Sequence, residues 1–299
     1  MVSPFLFVIK YYLDLTKFGI VIFVLMAGIV GYATGFQVES PFSIDHALRF
    51  LGGLYLLSSG SLALNQVQEF ELDRKMKRTS GRPIAAGKIQ PNAGAVLALT
   101  FIFSGAYELS LCSALAGWVG LFSVALYNGL YTKWWKRQWA YAAVPGAIPG
   151  ALPVTIGFAA VNEHIFSVES IYLFLIMFLW QMPHFWVLAI RHKDDYARGG
   201  IPTLPVSKGI DTTLYQIGLY TFAYVGVALC SPWLFRASWL YIALVVPFAL
   251  MVLFEFRKYF RSRSEQNWLR FFLWTNFSMI VFIAVPVVDK WNFLFTKTN

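Results

Sequence analysis

Apolar runs long enough to cross a bilayer recur along this chain, separated by short polar connections. A helix needs roughly 20 apolar residues to span the hydrocarbon core. The pattern predicts about nine such spans. They lie near residues 17–36, 46–66, 91–109, 112–131, 140–161, 167–190, 213–231, 238–255 and 270–288. No long polar segment separates them, so residues 1–299 read as one domain. The predicted fold class is all-α, a polytopic membrane helix bundle.

The connections alternate as well. Those after the second, fourth, sixth and eighth runs are basic, carrying Arg74 to Lys88, Lys133 to Arg137, Arg191 to Lys208 and Arg257 to Arg263. The intervening ones are short and nearly uncharged. Basic residues concentrate on the cytoplasmic side of membrane proteins. The alternation therefore predicts a cytoplasmic N-terminus, an odd number of spans and a C-terminus outside.

Composition agrees. Of 299 residues, 58% are hydrophobic and only 13% charged, too few to cover a soluble surface. The net charge of +9 falls between the spans. There it serves topology or an anionic substrate, and nucleic acid is not expected. Cys112 and Cys230 lie inside apolar stretches and read as small hydrophobes. No cleavable signal or Arg/Ser-rich transit segment is evident, so the first span is expected to stay and a bacterial cell inner membrane is the expected location.

The most polar stretch, "NQVQEFELDRKMKRTSGRP" (65–83), directly follows a run of apolar and small residues. If the second helix continues, Asn65, Glu69 and Asp73 fall at i, i+4 and i+8 and share a face, with Glu71 turned away. Carboxylates at that spacing offer oxygen ligands to a hard cation such as magnesium, which is usually held with substrate phosphates. Lys77, Arg78 and Arg82 follow, and cations beside a metal site suit a diphosphate. The plainer reading is a solvated helix end. Against it, Asn65 lies a turn deeper among apolar residues, where polar groups are costly.

A second polar cluster, "WQMPHFWVLAIRHKDDYARGGIPTLPV" (180–206), ends the sixth run at the same face. Pro183 frees the carbonyl of Leu179 and can open the helix. If the helix persists, His184, Arg191 and Asp195 share a stripe. His184 alone could be a satisfied interior histidine, and Asp194 and Asp195 a cap or surface pair.

With Asn65, Glu69, Asp73, "MKRT" (76–79) and Arg82-Pro83, the chain resembles the UbiA superfamily of intramembrane prenyltransferases. "PHFW" (183–186), "DDYA" (194–197), "GIPTLPV" (200–206), "YTKWWKR" (131–137) and "PGAIPGALP" (145–153) are similar to its haem-farnesylating branch. Lys17-Phe18-Gly19 stands where many of that branch have Lys-Pro-Arg. Trp139 and Ala142 replace frequent Thr and Asn, and Glu69 replaces the usual Asp. The resemblance implies a prenyltransferase that uses farnesyl diphosphate, haem b as acceptor and Mg2+ as cofactor. It implies Glu69, Asp73 and Asp195 as metal ligands, with Asn65 orienting a carboxylate, a metal-bound water or a phosphate oxygen. Lys77, Arg78, Arg82, Arg191 and Lys193 become candidates for phosphate contacts, and His184 for the haem iron or a propionate. Haem-modifying or oxidase-assembly proteins would be partners beside the lipid bilayer. Two other readings stay open: an aromatic quinone precursor as acceptor, and a transporter whose polar residues line a pathway.

Overall fold

The computed structural model describes residues 4–234 and 238–291. Among these the chain is helical, with no strand. A short helix α1 (Pro4–Thr16) leads into α2 (Phe18–Gly35), α3 (Ile44–Lys75), α4 (Pro91–Cys112) and α5 (Ala114–Val124). From α5 the chain passes directly into a π-helix (Ala125–Trp135) and one turn, α6 (Lys136–Gln138). Next come α7 (Ala143–Ala159), α8 (Val168–Arg191), the short α9 (Lys193–Arg198) and α10 (Leu204–Ser207), then α11 (Gly209–Leu234), α12 (Trp239–Ser262) and α13 (Glu265–Trp291). Eight of these segments are long and apolar enough to cross a membrane, α5 to α6 counting as one, and α7 is a shorter apolar helix. Each corresponds to one of the runs read from the sequence. The protein is an integral membrane helix bundle. Its outer surface carries large apolar side chains such as Phe103, Trp118 and Phe222, each more than half exposed, as a lipid-facing surface requires.

Helix ends follow local chemistry. Ser43 accepts the amide of His46 and caps α3. Pro91 opens α4, where its missing N–H leaves no bond unmade. Ser167 accepts the amide of Ser170 at the start of α8. Inside α7, Pro153 cannot donate to the carbonyl of Pro149. The Ser123 hydroxyl donates to that carbonyl instead, at 3.2 Å.

Among the described residues two large apolar cores form, beside two smaller clusters. One lies among α2, α3, α4, α5 and α7 and includes Phe50, Leu54, Leu57 and Ile156. The other lies mainly among α7, α8, α11, α12 and α13 and includes Trp186, Tyr224 and Phe282. Helices α2 and α7 touch through glycine. A Cβ on Gly157 would sit 2.0 Å from the carbonyl oxygen of Gly28, and one on Gly31 would sit 1.9 Å from that of Val154. Small residues at such crossings let two backbones pack closely.

Candidate active site

Helix α3 does not stop at the end of its apolar run. It continues to Lys75, so Asn65, Glu69 and Asp73 share one face, as their spacing predicts. All three are buried, at 2%, 2% and 1% exposure, while Glu71 is exposed. A solvated helix end would leave Asp73 in water. The structure places it under Arg82, whose Nη1 donates to both carboxylate oxygens at 2.8 and 2.7 Å. Glu69 meets Lys136 in the same way, with Nζ 2.6 and 2.8 Å from its two oxygens.

A third cation completes the cluster. Gln66, buried on α3, donates to the carbonyls of Asp14 and Leu15 and so caps the end of α1. The next turn of chain bends at Lys17, which holds a left-handed conformation with φ 51° and ψ 53°. That conformation is uncommon for a residue with a Cβ and costs on the order of 1 kcal/mol. It turns Nζ onto Asn65 Oδ1 at 2.8 Å. Two carboxylates thus face three cationic side chains, an arrangement ready for an added anion.

The π-helix aims the other wall. Helices of this type are rare and occur at functional sites. Here Asn128 exchanges hydrogen bonds with Ser61, and Asn65 Nδ2 donates to Thr132 at 3.2 Å. These bonds fix the side of the π-helix that carries Tyr127 and Tyr131, whose rings stack at 5.8 Å. Gly146 on α7 has no Cβ to obstruct Tyr131.

Lys17, Asn65, Glu69, Arg82 and Lys136 form the polar end of a cavity of about 810 Å³. Its walls are apolar and aromatic, from Ile20 and Phe23 on α2 to Phe272 and Phe277 on α13. His184 lines it from α8, packed between the rings of Trp180 at 4.7 Å and Phe272 at 5.1 Å. His184 is hydrogen-bonded to Asn276, and its buried Nδ1 has no partner.

The second cluster departs from its expected layout. Helix α8 ends at Arg191, and His192 breaks it with φ −104° and ψ 24°. His184, Arg191 and Asp195 therefore do not share one helical stripe. Arg191 turns to the start of α13, donating to Glu265 at 2.7 Å and lying 4.2 Å over Trp268. Neither it nor Lys193 lines the cavity. Lys77 and Arg78 also lie outside the lining, with exposed side chains, and they act through their amides. Both amides donate to the Asp195 carboxylate, at 2.8 and 3.3 Å, and Arg198 donates at 2.7 Å. Burial works to raise the Asp195 carboxyl, but Arg198 and the two amides hold it below its ordinary value. Three of roughly four lone-pair positions on this carboxylate are occupied, leaving one.

Sequence pattern alone does not single out Lys17 and Lys136 as site residues, although both lie in motifs quoted above. Lys17 is the retained lysine of the altered Lys-Phe-Gly triplet, and Lys136 belongs to "YTKWWKR".

Comparison with known proteins adds identity to this geometry. The model of the UbiA prenyltransferase family matches residues 20–277. A protoheme IX farnesyltransferase of Bdellovibrio bacteriovorus is 60% identical over 97% of this chain and all of its own length. That of Aquifex aeolicus is 35% identical over 94% of this chain and 96% of its own. Among solved structures, a digeranylgeranylglyceryl phosphate synthase superposes with a TM-score of 0.77 at 17% identity, over 94% of this chain and 98% of its own. A UbiA homologue from Archaeoglobus fulgidus bound to GPP and Mg2+ gives 0.63 at 16% identity, over 92% and 99%. These two likenesses concern the fold.

Proposed function

Because the chain belongs to the UbiA prenyltransferase family, we propose that it transfers the farnesyl group of farnesyl diphosphate to a vinyl group of protohaem IX, haem b. The observation that carries the acceptor is the likeness to the Bdellovibrio enzyme over essentially the whole of both chains. The cavity supports the same reading, since it joins a cationic end to a long aromatic interior.

The diphosphate binds at Lys17, Arg82 and Lys136. The donor set suits magnesium carried with substrate phosphates. Among the described residues no three His, Cys, Asp or Glu side chains gather into a protein cage. Glu69 and Asp73 are the two buried carboxylates on the α3 face, and magnesium needs only one or two beside the phosphates. Asp195 does not gather with them among the described residues, and its one remaining lone pair is what it would offer a metal or a metal-bound water. When bound, the metal neutralises charge developing on the leaving diphosphate. Lys136 and Arg82, already oriented by their carboxylates, do the same from the protein side. Asn65 holds Lys17 in place.

As the bond from C1 to the diphosphate oxygen breaks, its electron pair leaves with diphosphate and C1 becomes an allylic cation. The stacked faces of Tyr127 and Tyr131 lie at this end of the cavity and suit a cation. The apolar walls exclude water until the vinyl π pair has bonded to C1. The cation that results beside the porphyrin ring then takes water and loses a proton, giving a hydroxyfarnesylethyl group. His184 serves the acceptor, since its free Nδ1 can meet iron or a propionate.

The protein works in a cell inner membrane, with the cation cluster at the cytoplasmic face. Haem-modifying or oxidase-assembly proteins are the partners that would supply haem b and take its product. The test uses purified protein in lipid with farnesyl diphosphate, magnesium and haem b, read by mass spectrometry. A haem heavier by one farnesyl and one hydroxyl group is expected. Prenylation of 4-hydroxybenzoate, with haem left unaltered, would reject the reading.

A further inference from the structure

Behind the main cavity lies a smaller one of about 190 Å³, which shares Ile20, Tyr127 and Gly150 with it. We propose that this inner pocket is the subsite for the far end of the prenyl chain and that its closed end sets the chain length the enzyme accepts. The inference rests on the prenyltransferase reading and adds to it a specificity determinant.

The pocket's chemistry selects an apolar occupant. Leu54, Leu57, Val124 and Ile156 supply carbon surface. Three serines also face it, yet each hydroxyl is already engaged. Ser58 donates to the carbonyl of Leu54 at 2.7 Å, Ser61 to Asn128 Oδ1 at 2.6 Å and Ser123 to the carbonyl of Pro149 at 3.2 Å. Among the described residues no lysine, arginine or carboxylate lines it. A polar ligand would lose its hydration there without replacement bonds. An alkenyl chain gains from the burial.

Small side chains create the space. Ser58 and Ser61 on α3 and Ser123 on α5 stand where larger residues would close the gap, and Pro149 and Pro153 shape the α7 wall. Gly150 guards the entrance. A Cβ there would fall 2.0 Å from Gln181 Oε1.

Length agrees with the occupant. Glu69 marks the diphosphate end and Ser58 the inner wall, separated by about 16 Å along α3 at 1.5 Å rise per residue. A farnesyl chain spans on the order of 14 Å when extended, from carbon–carbon bonds of about 1.5 Å in a zigzag. A geranyl chain would reach only the mouth of the inner pocket, at Tyr127 and Gly150. A geranylgeranyl chain would overrun it and meet Leu54 and Leu57, which are 1% and 3% exposed and packed in the core.

Two measurements test this. In the first, wild type and Ser58→Leu are supplied in turn with geranyl, farnesyl and geranylgeranyl diphosphates, and kcat/KM is compared for each. Filling the pocket should lower the preference for farnesyl over geranyl by ten-fold or more. An unchanged ratio in a folded, active variant would overturn the subsite. The second needs no variant and no acceptor. Wild type is photolysed with a farnesyl diphosphate analogue that carries a diazirine on its last isoprene unit. Label is expected within residues 54–62 or 149–156. Label confined to 273–280 of α13, or to lipid, would place the tail elsewhere and reject the proposal. Photolabelling reports the tail whichever acceptor is used, so an enzyme that prenylates another acceptor, or that fails to turn haem over, still shows whether the tail enters the pocket.

Discussion

Glu69 and Lys136 illustrate how single residues hold this site together. The Glu69 side chain is 3% exposed and Lys136 19%, so the pair sits largely out of water. Removing one member of a buried pair strands the other and costs about 3–5 kcal/mol. Lys136→Ala should therefore lower the thermal midpoint as well as activity. Adding Glu69→Gln should recover much of the stability and none of the activity, because the stranded charge is gone while the phosphate contact is still missing. Recovered turnover in the double variant would mean that Lys136 serves only to neutralise Glu69. Asp73→Asn tests the second pair. Its partner Arg82 is 21% exposed, much as Lys136 is, so some loss of stability is expected here too and turnover is to be compared on the folded fraction. Turnover should fall 10- to 100-fold, about 1.4–2.8 kcal/mol, as for loss of a metal ligand or its support. Near-normal turnover at saturating substrate would return Asp73 to the role of a helix-end charge. For His184→Ala, haem titration and farnesyl diphosphate binding on the same sample separate the roles. Weakened haem binding with intact farnesyl diphosphate binding is expected; equal loss of both would move His184 to the diphosphate side. The acid ladder is legible in sequence because helical period alone brings Asn65, Glu69 and Asp73 to one face. Lys17 and Lys136 are not, because their reach depends on a left-handed turn and a π-helix, neither of which leaves a periodic signature.

At the scale of elements, the break at His192 changes what Asp195 does. With α8 ended, α9 swings the Asp195 carboxylate onto the amides of Lys77 and Arg78, tying the connection after α3 to the connection after α8. Sequence places both clusters at one membrane face but carries no sign that they are joined through backbone amides. The carboxyl is held below its ordinary value of 3.8, so the clamp is complete above that pH and is lost only as pH falls through the lower, folded-state value. Asp195→Ala should free the turn at neutral pH. The exposed Lys77 and Arg78 then become trypsin sites, and cleavage there should be several-fold faster than in wild type. Unchanged cleavage would show that Arg82, anchored on Asp73, orders the turn alone. The α2–α7 crossing makes a second element-scale case. Gly157→Ala would drive a methyl into the Gly28 carbonyl, and overpacking of this kind costs about 1–3 kcal/mol. Both helices line the cavity, so the thermal midpoint and turnover should fall together. A fall in the midpoint alone would show that the cavity tolerates the shift.

For the whole molecule, the two levels of sequence pattern do separate work. Apolar runs identify the spans, and the structure contains a helix for each of them. Alternating charge predicts their orientation, and with it a shared cytoplasmic face for the cation cluster, the Asp195 clamp and the Arg191–Glu265 pair. An odd number of spans is essential to that assignment, because adding or removing one would put successive basic connections on opposite sides. The span most open to challenge is α7, which at 17 residues is the shortest of the apolar set and contains Pro149 and Pro153. Its glycine contact with α2 and its wall of the cavity place it inside the bundle, and the alternation of charge predicts that it crosses. A reporter in the 133–137 connection should therefore lie in the cytoplasm, and one fused after residue 299 should lie outside. A third, in the 192–208 connection, should again be cytoplasmic. Reporters at 133–137 and after 299 on the same side would refute the odd count. Reporters at 133–137 and 192–208 on opposite sides would show that α7 does not cross as a full span, and with it the shared cytoplasmic face of the two polar clusters would fall.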